Sequence, residues 1–268
     1  MNLHERVQQL TNNGYEFKFG EYFSKGWDLF GKKVGHYIGF FVLMMLMLMV
    51  SAFIPVIGGI ASQLLSAVFL VGFFVFTRNI KYNQNPNFDD FFKGFSSFGR
   101  IAVVQLILLA FILVVMIPLM IFGFSIFFKG IIGAASNPYY EPRNPAELFE
   151  LFDLQALIPL MIITYIFLFF IQTIYMFSTA ITHFYQSSPW QSMEASRKVI
   201  QKKFFHFFGL LIVIALINIL GVICLFVGLL VTVPLTYTIM YAAFDDIFQP
   251  ESANGLEAPD ESFENREN

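Results

Sequence analysis

The sequence predicts an all-α, polytopic membrane protein: a bundle of six transmembrane helices in three hairpins, with cytoplasmic interfacial amphipathic helices. Composition is the first observation behind this prediction. Of the 268 residues, 57% are hydrophobic and only 13% are charged, whereas about 25% of residues are charged in ordinary soluble domains. The second observation is segregation, because Lys, Arg, Asp and Glu are absent from four long stretches: 34–77, 101–128, 154–193 and 204–244.

The lengths of these stretches divide them into spans. A helix crosses the hydrocarbon core of a bilayer with about 20 apolar residues. The first and last stretches are each about twice that length. Turn-forming residues interrupt both, Pro55 and Gly58 in the first and Gly221 and Gly228 in the last. The predicted spans are 34–54, 58–78, 101–128, 155–182, 205–222 and 226–246.

The flanking segments complete the predicted domain plan. Residues 1–33 form a cytoplasmic N-terminal segment that contains an amphipathic helix and no signal-peptide pattern. Residues 34–248 form the transmembrane domain. Residues 249–268 are acidic and nearly free of apolar side chains, so they are predicted to form a disordered cytoplasmic tail.

The only long external loop in the prediction follows the third span. Pro118 could kink that span, and Lys129 is predicted to end it. The loop, 130–153, contains an Asn-Pro-Tyr-Tyr-Glu-Pro-Arg-Asn-Pro run, which excludes a regular helix. A short interfacial helix from 146 to about 154 is predicted to lead into the fourth span.

An amphipathic segment precedes each odd-numbered span. The first segment places these aromatic residues on one helical face: Phe19, Tyr22, Phe23, Trp27 and Phe30. The second repeats the spacing of an amphipathic helix in Phe88, Phe91, Phe92 and Phe95. Helix-start pairs open the second and third segments, Asn87 with Asp90 and Ser188 with Gln191.

This placement suggests a threefold internal repeat. Each unit would consist of an interfacial helix, an outgoing span, a reversal and a returning span. The hypothetical units are 19–78, 88–182 and 190–246, and residue identity between them is low. The long loop makes the second unit the longest.

The basic residues predict the orientation. Among the 16 Lys and Arg residues, only Lys129 and Arg143 fall between the third and fourth spans. The others precede the first span, lie between spans two and three or four and five, or lie in the tail. The positive-inside rule therefore places both termini and all three amphipathic segments in the cytoplasm, for a multi-pass protein of the bacterial inner membrane.

The polar residues of the spans define a candidate binding site. The uncharged stretches offer no acidic or basic side chain for an ion or proton path. Four amides form a candidate intramembrane polar site that could bind a lipid headgroup or a small solute: Gln63, Gln105, Gln172 and Asn218. Hydrogen bonding between neighbouring helices is the more common role of such amides.

A second candidate site lies on the third amphipathic segment. Its basic residues are predicted to contact anionic membrane lipids: Arg197, Lys198, Lys202 and Lys203. A cation near an anionic membrane surface contributes about 1 kcal/mol to binding. Positive-inside anchoring explains the same residues without a lipid-specific role.

The sequence contains no recognisable catalytic constellation. The histidines, His4, His36, His183 and His206, have no ligand-spaced partners. The single cysteine, Cys224, has no neighbouring base to activate it, and no phosphate-binding loop is present. We therefore expect no catalytic residues, no cofactor, no metal and no nucleic-acid partner.

Three short motifs resemble a known family. They are the run Phe17 to Lys33, the reversal Ile54-Pro-Val-Ile-Gly58, and the closing Pro234, Tyr241 and Asp246. The motifs resemble a broad group of poorly characterised bacterial six-span inner-membrane proteins, similar to the membrane domain that precedes some glycerophosphodiester phosphodiesterases. The resemblance covers residues 17–248 and implies an all-helical module connected with lipid or envelope physiology. No phosphodiesterase domain follows residue 248, so that activity is not expected.

Three functions are compatible with these observations. The first is a non-enzymatic module that acts through membrane lipids or a protein partner, which includes a second copy of the chain. The second is a transporter or channel for a neutral or amphipathic solute, and the third is an intramembrane lipid-modifying enzyme. Amides that converge on an open crevice would favour transport, whereas a closed, aromatic-filled bundle would favour the module.

Overall fold

The computed structural model describes residues 2–54, 57–136 and 154–250, and the regular elements among them are all helical. In chain order they are α1 Leu3–Asn12, α2 Phe19–Lys32, α3 Val34–Ala52, α4 Ile57–Lys81, a 3-10 helix Phe88–Ser97, α5 Phe98–Ser136, a 3-10 helix Leu154–Leu157, α6 Ile158–Ile174, α7 Ser178–Phe184, α8 Pro189–Lys202, α9 Phe204–Ile223 and α10 Leu229–Phe248. Residues 137–153 of the predicted external loop, most of the short helix predicted within it, and the acidic tail after Pro250 lie outside the described residues.

Five helical stretches of the described chain are long and apolar enough to cross a membrane. They are Val34–Ala52, Gly58–Lys81, Phe88–Gly133, Gln155–Phe184 and Phe204–Ile223. The prediction of an all-helical, multi-pass fold is confirmed at this level. The sixth predicted span corresponds to α10, which has 20 residues but is more polar, with threonines and tyrosines in its middle and Asp245 and Asp246 near its end.

The helices form two compact units. One contains residues 1–105 and 173–268, and the other contains Leu106–Gln172. The second unit, formed by most of α5 and α6, exposes large apolar side chains such as Ile121 and Tyr165, which are 66% and 67% exposed. Helices that face lipid have surfaces of this kind, whereas a soluble monomer rarely exposes extended apolar patches.

Helix α5 is longer than the predicted third span. It runs from Phe98 through Lys129 to Ser136, whereas the prediction ended it before Lys129. Lysine has a high helix propensity, so its charge alone does not end a helix. Pro118 lies inside α5, and Pro138 is the next proline in the chain.

The core of the first unit is built largely from aromatic rings. Phe91 of the 3-10 helix stacks on Phe40 of α3 at 4.2 Å between ring centroids and on Phe76 of α4 at 4.0 Å. Phe73 of α4 stacks on Tyr237 of α10 at 4.4 Å. Rings from four elements therefore fill the space between them.

Three glycines allow two pairs of backbones to approach closely in this unit. A Cβ atom at Gly72 of α4 would lie 1.8 Å from the Phe91 carbonyl oxygen, and one at Gly94 would lie 2.2 Å from the Val68 carbonyl oxygen. A Cβ atom at Gly26 of α2 would lie 2.6 Å from the side chain of Ile239 in α10. The 3-10 helix is therefore in backbone contact with α4, and α2 is in backbone contact with α10.

The predicted fourth span contains a break. Helix α6 ends at Ile174, and α7 begins at Ser178 after a three-residue turn. The Ser178 N–H donates to the Tyr175 carbonyl rather than to that of Ile174. The Ser196 hydroxyl of α8 donates to the Ile174 carbonyl at 2.9 Å. A tertiary hydrogen bond thus replaces the helical one, which corrects the prediction of a continuous helix to residue 182.

Both tight reversals contain the glycines that predicted them. A Cβ atom at Gly58 would lie 2.1 Å from the Ser51 carbonyl oxygen, so α3 and α4 touch at their ends. A Cβ atom at Gly228 would lie 2.7 Å from the Cα atom of Gly221. Between α9 and α10, Leu225 and Phe226 adopt left-handed conformations with φ of 55° and 63°.

Three helices end in the same way. At the end of α10, and one residue after the ends of α4 and α7, an aromatic residue is followed by an amide residue in the left-handed conformation; the amide residues are Asn83, Gln186 and Gln249, with φ of 51°, 51° and 49°. A left-handed residue is a common way to end a helix, and asparagine tolerates it better than most residues. The three endings lie three to five residues after the ends of the three hypothetical repeat units, 78, 182 and 246.

Two short segments of the first hypothetical repeat unit have similar counterparts near the other two repeat units. The sequence analysis did not predict these matches. The segment Lys25-Gly-Trp-Asp-Leu-Phe-Gly-Lys32 matches Lys93-Gly-Phe-Ser-Ser-Phe-Gly-Arg100, and Lys32-Lys-Val-Gly-His-Tyr37 matches Lys202-Lys-Phe-Phe-His-Phe207. The first match aligns Gly26 with Gly94, which are both sites of close backbone contact. Identity between units is therefore concentrated where an amphipathic segment meets a span.

Candidate functional site

The predicted intramembrane amides bond to neighbouring groups. The Gln63 side-chain amide of α4 donates to the Gln105 carbonyl of α5 at 3.0 Å. The Asn218 amide of α9 donates to the Ile214 carbonyl and to the Thr236 hydroxyl of α10, each at 3.0 Å. Gln172 is exposed and lies in the second unit. The first three amides thus link helices or bond to their own helix.

Two polar atoms near Asn218 lack hydrogen-bond partners among the described residues. They are the buried Asn218 side-chain oxygen and the Thr232 hydroxyl oxygen. A Cβ atom at Gly221 would lie 2.5 Å from that hydroxyl oxygen, so α9 and α10 approach closely there. Close approach through a glycine leaves little room for a solute between the two helices.

The predicted basic segment is helix α8, and its helix-start pair is confirmed. Ser188 and Gln191 form reciprocal capping hydrogen bonds at its N terminus. Helix α8 buries small and apolar residues, among them Ser192, Ala195 and Ser196. Its basic residues therefore lie on the faces that remain partly or fully exposed.

Two of the four predicted lipid contacts share one carboxylate. Arg197 donates to both oxygens of Glu194, at 3.0 and 2.7 Å, and the Lys198 amine lies 3.3 Å from the same side chain. The guanidinium hydrogen bonds lower the pKa of Glu194, and the carboxylate raises the pKa of Arg197. Lys202 is exposed and Lys203 half-buried, and neither has an ion-pair partner among the residues that the structure describes. These two lysines are the free cations of the predicted set.

A polar depression that the sequence analysis did not predict lies in the first unit. It is bordered by the C-terminal end of α4, the 3-10 helix and the end of α7. Its volume is about 710 Å³, and its lining includes Arg78, Asn79, Lys93, His183 and Gln186. We call it the polar depression.

Asp90 organises one wall of the polar depression. Its side chain is buried and accepts hydrogen bonds from the Asn79 amide at 2.8 Å and from the Asn87 N–H at 2.9 Å. The Lys93 amine lies 2.5 Å from the other carboxylate oxygen. Asn87 and Asp90 form the predicted helix-start pair, so that prediction is confirmed. Both carboxylate oxygens of Asp90 therefore have partners, and the Lys93 amine balances the charge of the carboxylate.

His183 and Gln186 lie on the opposite wall, and Arg100, which is not among the lining residues, contacts Gln186. The His183 Nδ1 atom lies 3.0 Å from the Ser97 hydroxyl, and Arg100 donates to that hydroxyl at 3.3 Å. Arg100 also donates to the Gln186 side-chain carbonyl. The guanidinium groups of Arg78 and Arg100 lie within electrostatic range of the His183 ring. Positive charge is therefore concentrated on this side.

A second polar cluster surrounds the C-terminal end of α10. Asp245 pairs with Lys81 of α4, and Asp246 accepts from the Tyr22 hydroxyl of α2 at 2.8 Å. The buried Arg6 guanidinium of α1 donates to the Ile247 carbonyl at 2.9 and 2.5 Å. Helices α1, α2 and α4 are thereby attached to the same helix end.

Burial shifts the pKa values of three side chains around this helix end, Arg6, Tyr22 and Tyr185. Burial lowers the pKa of Arg6, which stays cationic at neutral pH. Burial, reinforced by Asp246, raises the pKa of Tyr22. Burial also raises the pKa of Tyr185 to about 12, and the Tyr185 hydroxyl donates to the Phe248 carbonyl at 2.5 Å. These groups hold fixed protonation states at neutral pH, which suits a structural role.

The described residues do not bring potential metal ligands together. No group of three His, Cys, Asp or Glu side chains that could hold a metal ion occurs among them. The chain matches no known protein family, no curated protein and no solved structure.

Sequence reasoning missed the polar depression for a physical reason. In the sequence, Arg78, Lys93 and Arg100 are basic residues between spans two and three that fit the positive-inside rule, and His183 has no ligand-spaced partner. The depression forms only because α7 packs beside α4 and the 3-10 helix. One signal was available, since five of the nine residues from 79 to 87 are Asn or Gln. Such a density of amides is unusual between two apolar helices.

Proposed function

We propose that the chain is a six-span inner-membrane protein with both termini in the cytoplasm, and that it acts as a non-enzymatic module through anionic lipids. The observation that carries the proposal is the closed aromatic interior of the first unit, where Phe40, Phe73, Phe76 and Phe91 occupy the space between the helices. The amides Gln63 and Gln105 bond to each other instead of facing an open crevice. A transport path would require such a crevice.

An even number of spans is supported by the contact between the chain ends. Arg6 of α1 bonds to the Ile247 carbonyl at the end of α10. With five spans the N and C termini would lie on opposite sides of the membrane, and this contact could not form. Counting α10 as the sixth span places both ends on one side, and the positive-inside rule makes that side the cytoplasm.

The lipid contact is proposed for Lys202 and Lys203. Both lack a neighbouring carboxylate among the described residues, whereas Arg197 and Lys198 are engaged with Glu194. Trp190 at the start of the same helix is 64% exposed, and tryptophan favours the membrane interface. An exposed tryptophan with free lysines is typical of a helix that rests in the headgroup layer.

The lipid proposal can be tested by measuring which lipids the protein retains. The protein is extracted into native nanodiscs, and the phosphatidylglycerol that co-purifies is compared by mass spectrometry with the bulk membrane. We expect enrichment in the unmodified protein and its loss in Lys202→Gln/Lys203→Gln, at about 1 kcal/mol for each lysine. The control is Lys25→Gln, because Lys25 already lies 3.7 Å from Glu21. Bulk lipid composition around the unmodified protein would contradict the proposal.

The six-span proposal has its own test. Reporter fusions after residue 250 and within 137–153 should report opposite sides of the membrane, with the C-terminal fusion cytoplasmic. A fusion before residue 2 should agree with the C-terminal one. Opposite signals from the two chain ends would refute an even number of spans without bearing on the lipid proposal.

A further inference from the structure

We propose that the acidic tail after Pro250 docks on the exposed end of helix α8, at Lys202 and Lys203, and competes there with anionic lipid. These two residues are called the lysine pair below. The contact between the tail and the lysine pair does not depend on the proposed function. The competition rests on it, because the anionic lipid of that proposal occupies the same two side chains.

Charge complementarity is the first argument for this contact. The tail contains one basic residue, Arg266, and six acidic residues: Glu251, Glu257, Asp260, Glu261, Glu264 and Glu267. The rest of the chain contains 15 of the 16 basic and 13 of the 19 acidic residues. The formal net charge of -3 therefore originates in the tail, and the remainder of the chain carries a small positive net charge.

The lysine pair is the part of α8 whose charge the described residues leave unbalanced. Glu194 already pairs with Arg197 at 2.7 Å and with Lys198 at 3.3 Å. Among the described residues, no carboxylate lies within ion-pair distance of Lys202 or Lys203. The helix ends do not alter this balance, because α8 ends and α9 begins on either side of Lys203. Their opposite end charges, each about half a charge, offset one another.

The tail begins close to the lysine pair. The ring of Phe248, at the end of α10, lies 5.8 Å from the ring of Phe177, which lies 5.9 Å from the ring of Phe207. Phe207 is one helical turn after Lys203, since its N–H donates to the Lys203 carbonyl at 3.3 Å. A single ring therefore separates the end of α10 from the first turn of α9. A chain extends up to about 3.3 Å per residue, so acidic residues from 257 onward can reach the pair.

Covalent connection makes a weak contact sufficient. An exposed ion pair contributes little by itself and is screened by salt. A ligand on the same chain, however, has an effective concentration in the millimolar range when its connection is short. Six carboxylates also share two lysines, so several alternative pairs are available. We therefore expect the tail to reduce the binding of anionic lipid at the lysine pair without abolishing it.

The contact is tested by zero-length cross-linking of the full-length protein in phosphatidylcholine nanodiscs. A carbodiimide joins a carboxylate to an amine that touches it, and mass spectrometry identifies the joined residues. We expect links from the tail to Lys202 or Lys203. These links should fall by roughly threefold or more between about 0.1 and 1 M salt, because the Debye length falls from about 10 to 3 Å.

Lys25 is the matched control for this measurement. Its side chain is 46% exposed, but it lies 3.7 Å from Glu21. Links from the tail to Lys25 should therefore be fewer than links to the lysine pair, by roughly threefold or more. Equal linking to Lys25 and to the lysine pair, or no link to the lysine pair, would overturn the proposal.

The competition is tested with a tail-neutral variant in which all six acidic residues of the tail are replaced by Gln or Asn. Retention of phosphatidylglycerol relative to phosphatidylcholine, measured by native mass spectrometry, should rise by roughly threefold in this variant. In Lys202→Gln/Lys203→Gln the same neutralisation should have no effect, because the shared binding residues are absent. An equal rise in both backgrounds would show general repulsion between tail and membrane, which would overturn the proposal.

Cross-linking in phosphatidylglycerol nanodiscs completes the test. Links to the lysine pair should fall by roughly threefold relative to phosphatidylcholine, and an unchanged yield would overturn the competition. Lipid retention through the lysine pair without any link to the tail would overturn this inference and leave the proposed function standing. Links in phosphatidylcholine without enrichment of phosphatidylglycerol by either the unmodified or the tail-neutral protein would overturn the proposed function and the competition, while the contact would stand.

Discussion

The 3-10 helix Phe88–Ser97 and helix α8 look alike in sequence but are covered by different surroundings. Both are amphipathic, both begin with a capping pair, and both precede a long apolar helix. The 3-10 helix buries Phe91 completely among rings of α3 and α4. Helix α8 instead leaves Trp190 64% exposed and buries small and aliphatic residues, among them Ser196 and Val199.

This difference shows what an amphipathic pattern determines. The spacing of apolar residues indicates which face avoids water, but either protein or lipid can cover that face. In the 3-10 helix the apolar face is covered by protein, because Gly94 and Gly72 permit backbone contact with α4. Helix α8 packs through serine and alanine and through aliphatic side chains such as Val199 and Ile200, whereas its aromatic residue, Trp190, remains outside. Both segments therefore bury an apolar face in the protein, and the exposed Trp190 of α8 is the residue that we propose to contact the membrane interface.

The largest expected effect comes from removing the buried ring. Phe91→Ala should lower the free energy of unfolding by about 3–5 kcal/mol, the range for large buried aromatic residues. Trp190→Ala should change it by less than about 0.5 kcal/mol, as for exposed residues. Unfolding of the purified protein in mixed micelles measures both. An equal loss of unfolding free energy in the two variants would contradict the difference in burial between Phe91 and Trp190.

A methyl group at the closest backbone contact should have the next largest effect. Gly94→Ala places a Cβ atom 2.2 Å from the Val68 carbonyl oxygen, and overpacking of this kind costs about 1–3 kcal/mol. The control is Gly99→Ala, since no atom lies within 4 Å of a Cβ there. That substitution should be neutral or stabilising by up to about 1 kcal/mol, because alanine favours helix over glycine. Tolerance of Gly94→Ala would show that the two backbones are not in contact.

Much of the helical pattern was predictable because a helix that crosses a bilayer needs a long, uncharged, apolar stretch of sequence. Lys33 precedes α3, and Arg78 and Lys81 lie in the last turn of α4, so the charged residues delimit the apolar helices. Glycine pairs located the reversals, and side-chain spacing located the capping pairs. These features depend on residues close together in the sequence.

The unpredicted features depend on contacts between distant residues. The break after Ile174 depends on a hydroxyl of α8, and no glycine or proline marks it. The polar depression joins Arg78 to His183, whose side chains meet only in the folded chain. Among the predicted amides, the pairing of Gln63 with Gln105 could not be predicted either. A link between helices is nevertheless the more common role of such amides.

The hydrogen bond from Ser196 provides a smaller test on the α8 side. Ser196→Ala leaves the buried Ile174 carbonyl without this donor, which should cost about 1–3 kcal/mol. Ser96 of the 3-10 helix is exposed and bonds only to the nearby Lys93 carbonyl at 2.8 Å. Ser96→Ala should therefore cost less than about 0.5 kcal/mol. A similar loss in both variants would mean that the break is stable without α8.

The smallest expected effect is a pH dependence confined to α8. Hydrogen bonds from Arg197 lower the pKa of Glu194 below its ordinary value. A carboxyl group with a lowered pKa contributes stability above its unfolded-state pKa, and that contribution is lost as the pH falls through the folded-state pKa. The pair is about one-third exposed, so the loss should be at most about 0.5 kcal/mol. Unfolding measured from pH 6 downward should show this decline below a pH of about 4.5, and Glu194→Gln should remove it.

Because protonation of Glu194 also releases Arg197 and Lys198, retention of phosphatidylglycerol should rise over the same pH interval. Unchanged retention would mean that Glu194 does not compete with lipid for these two cations.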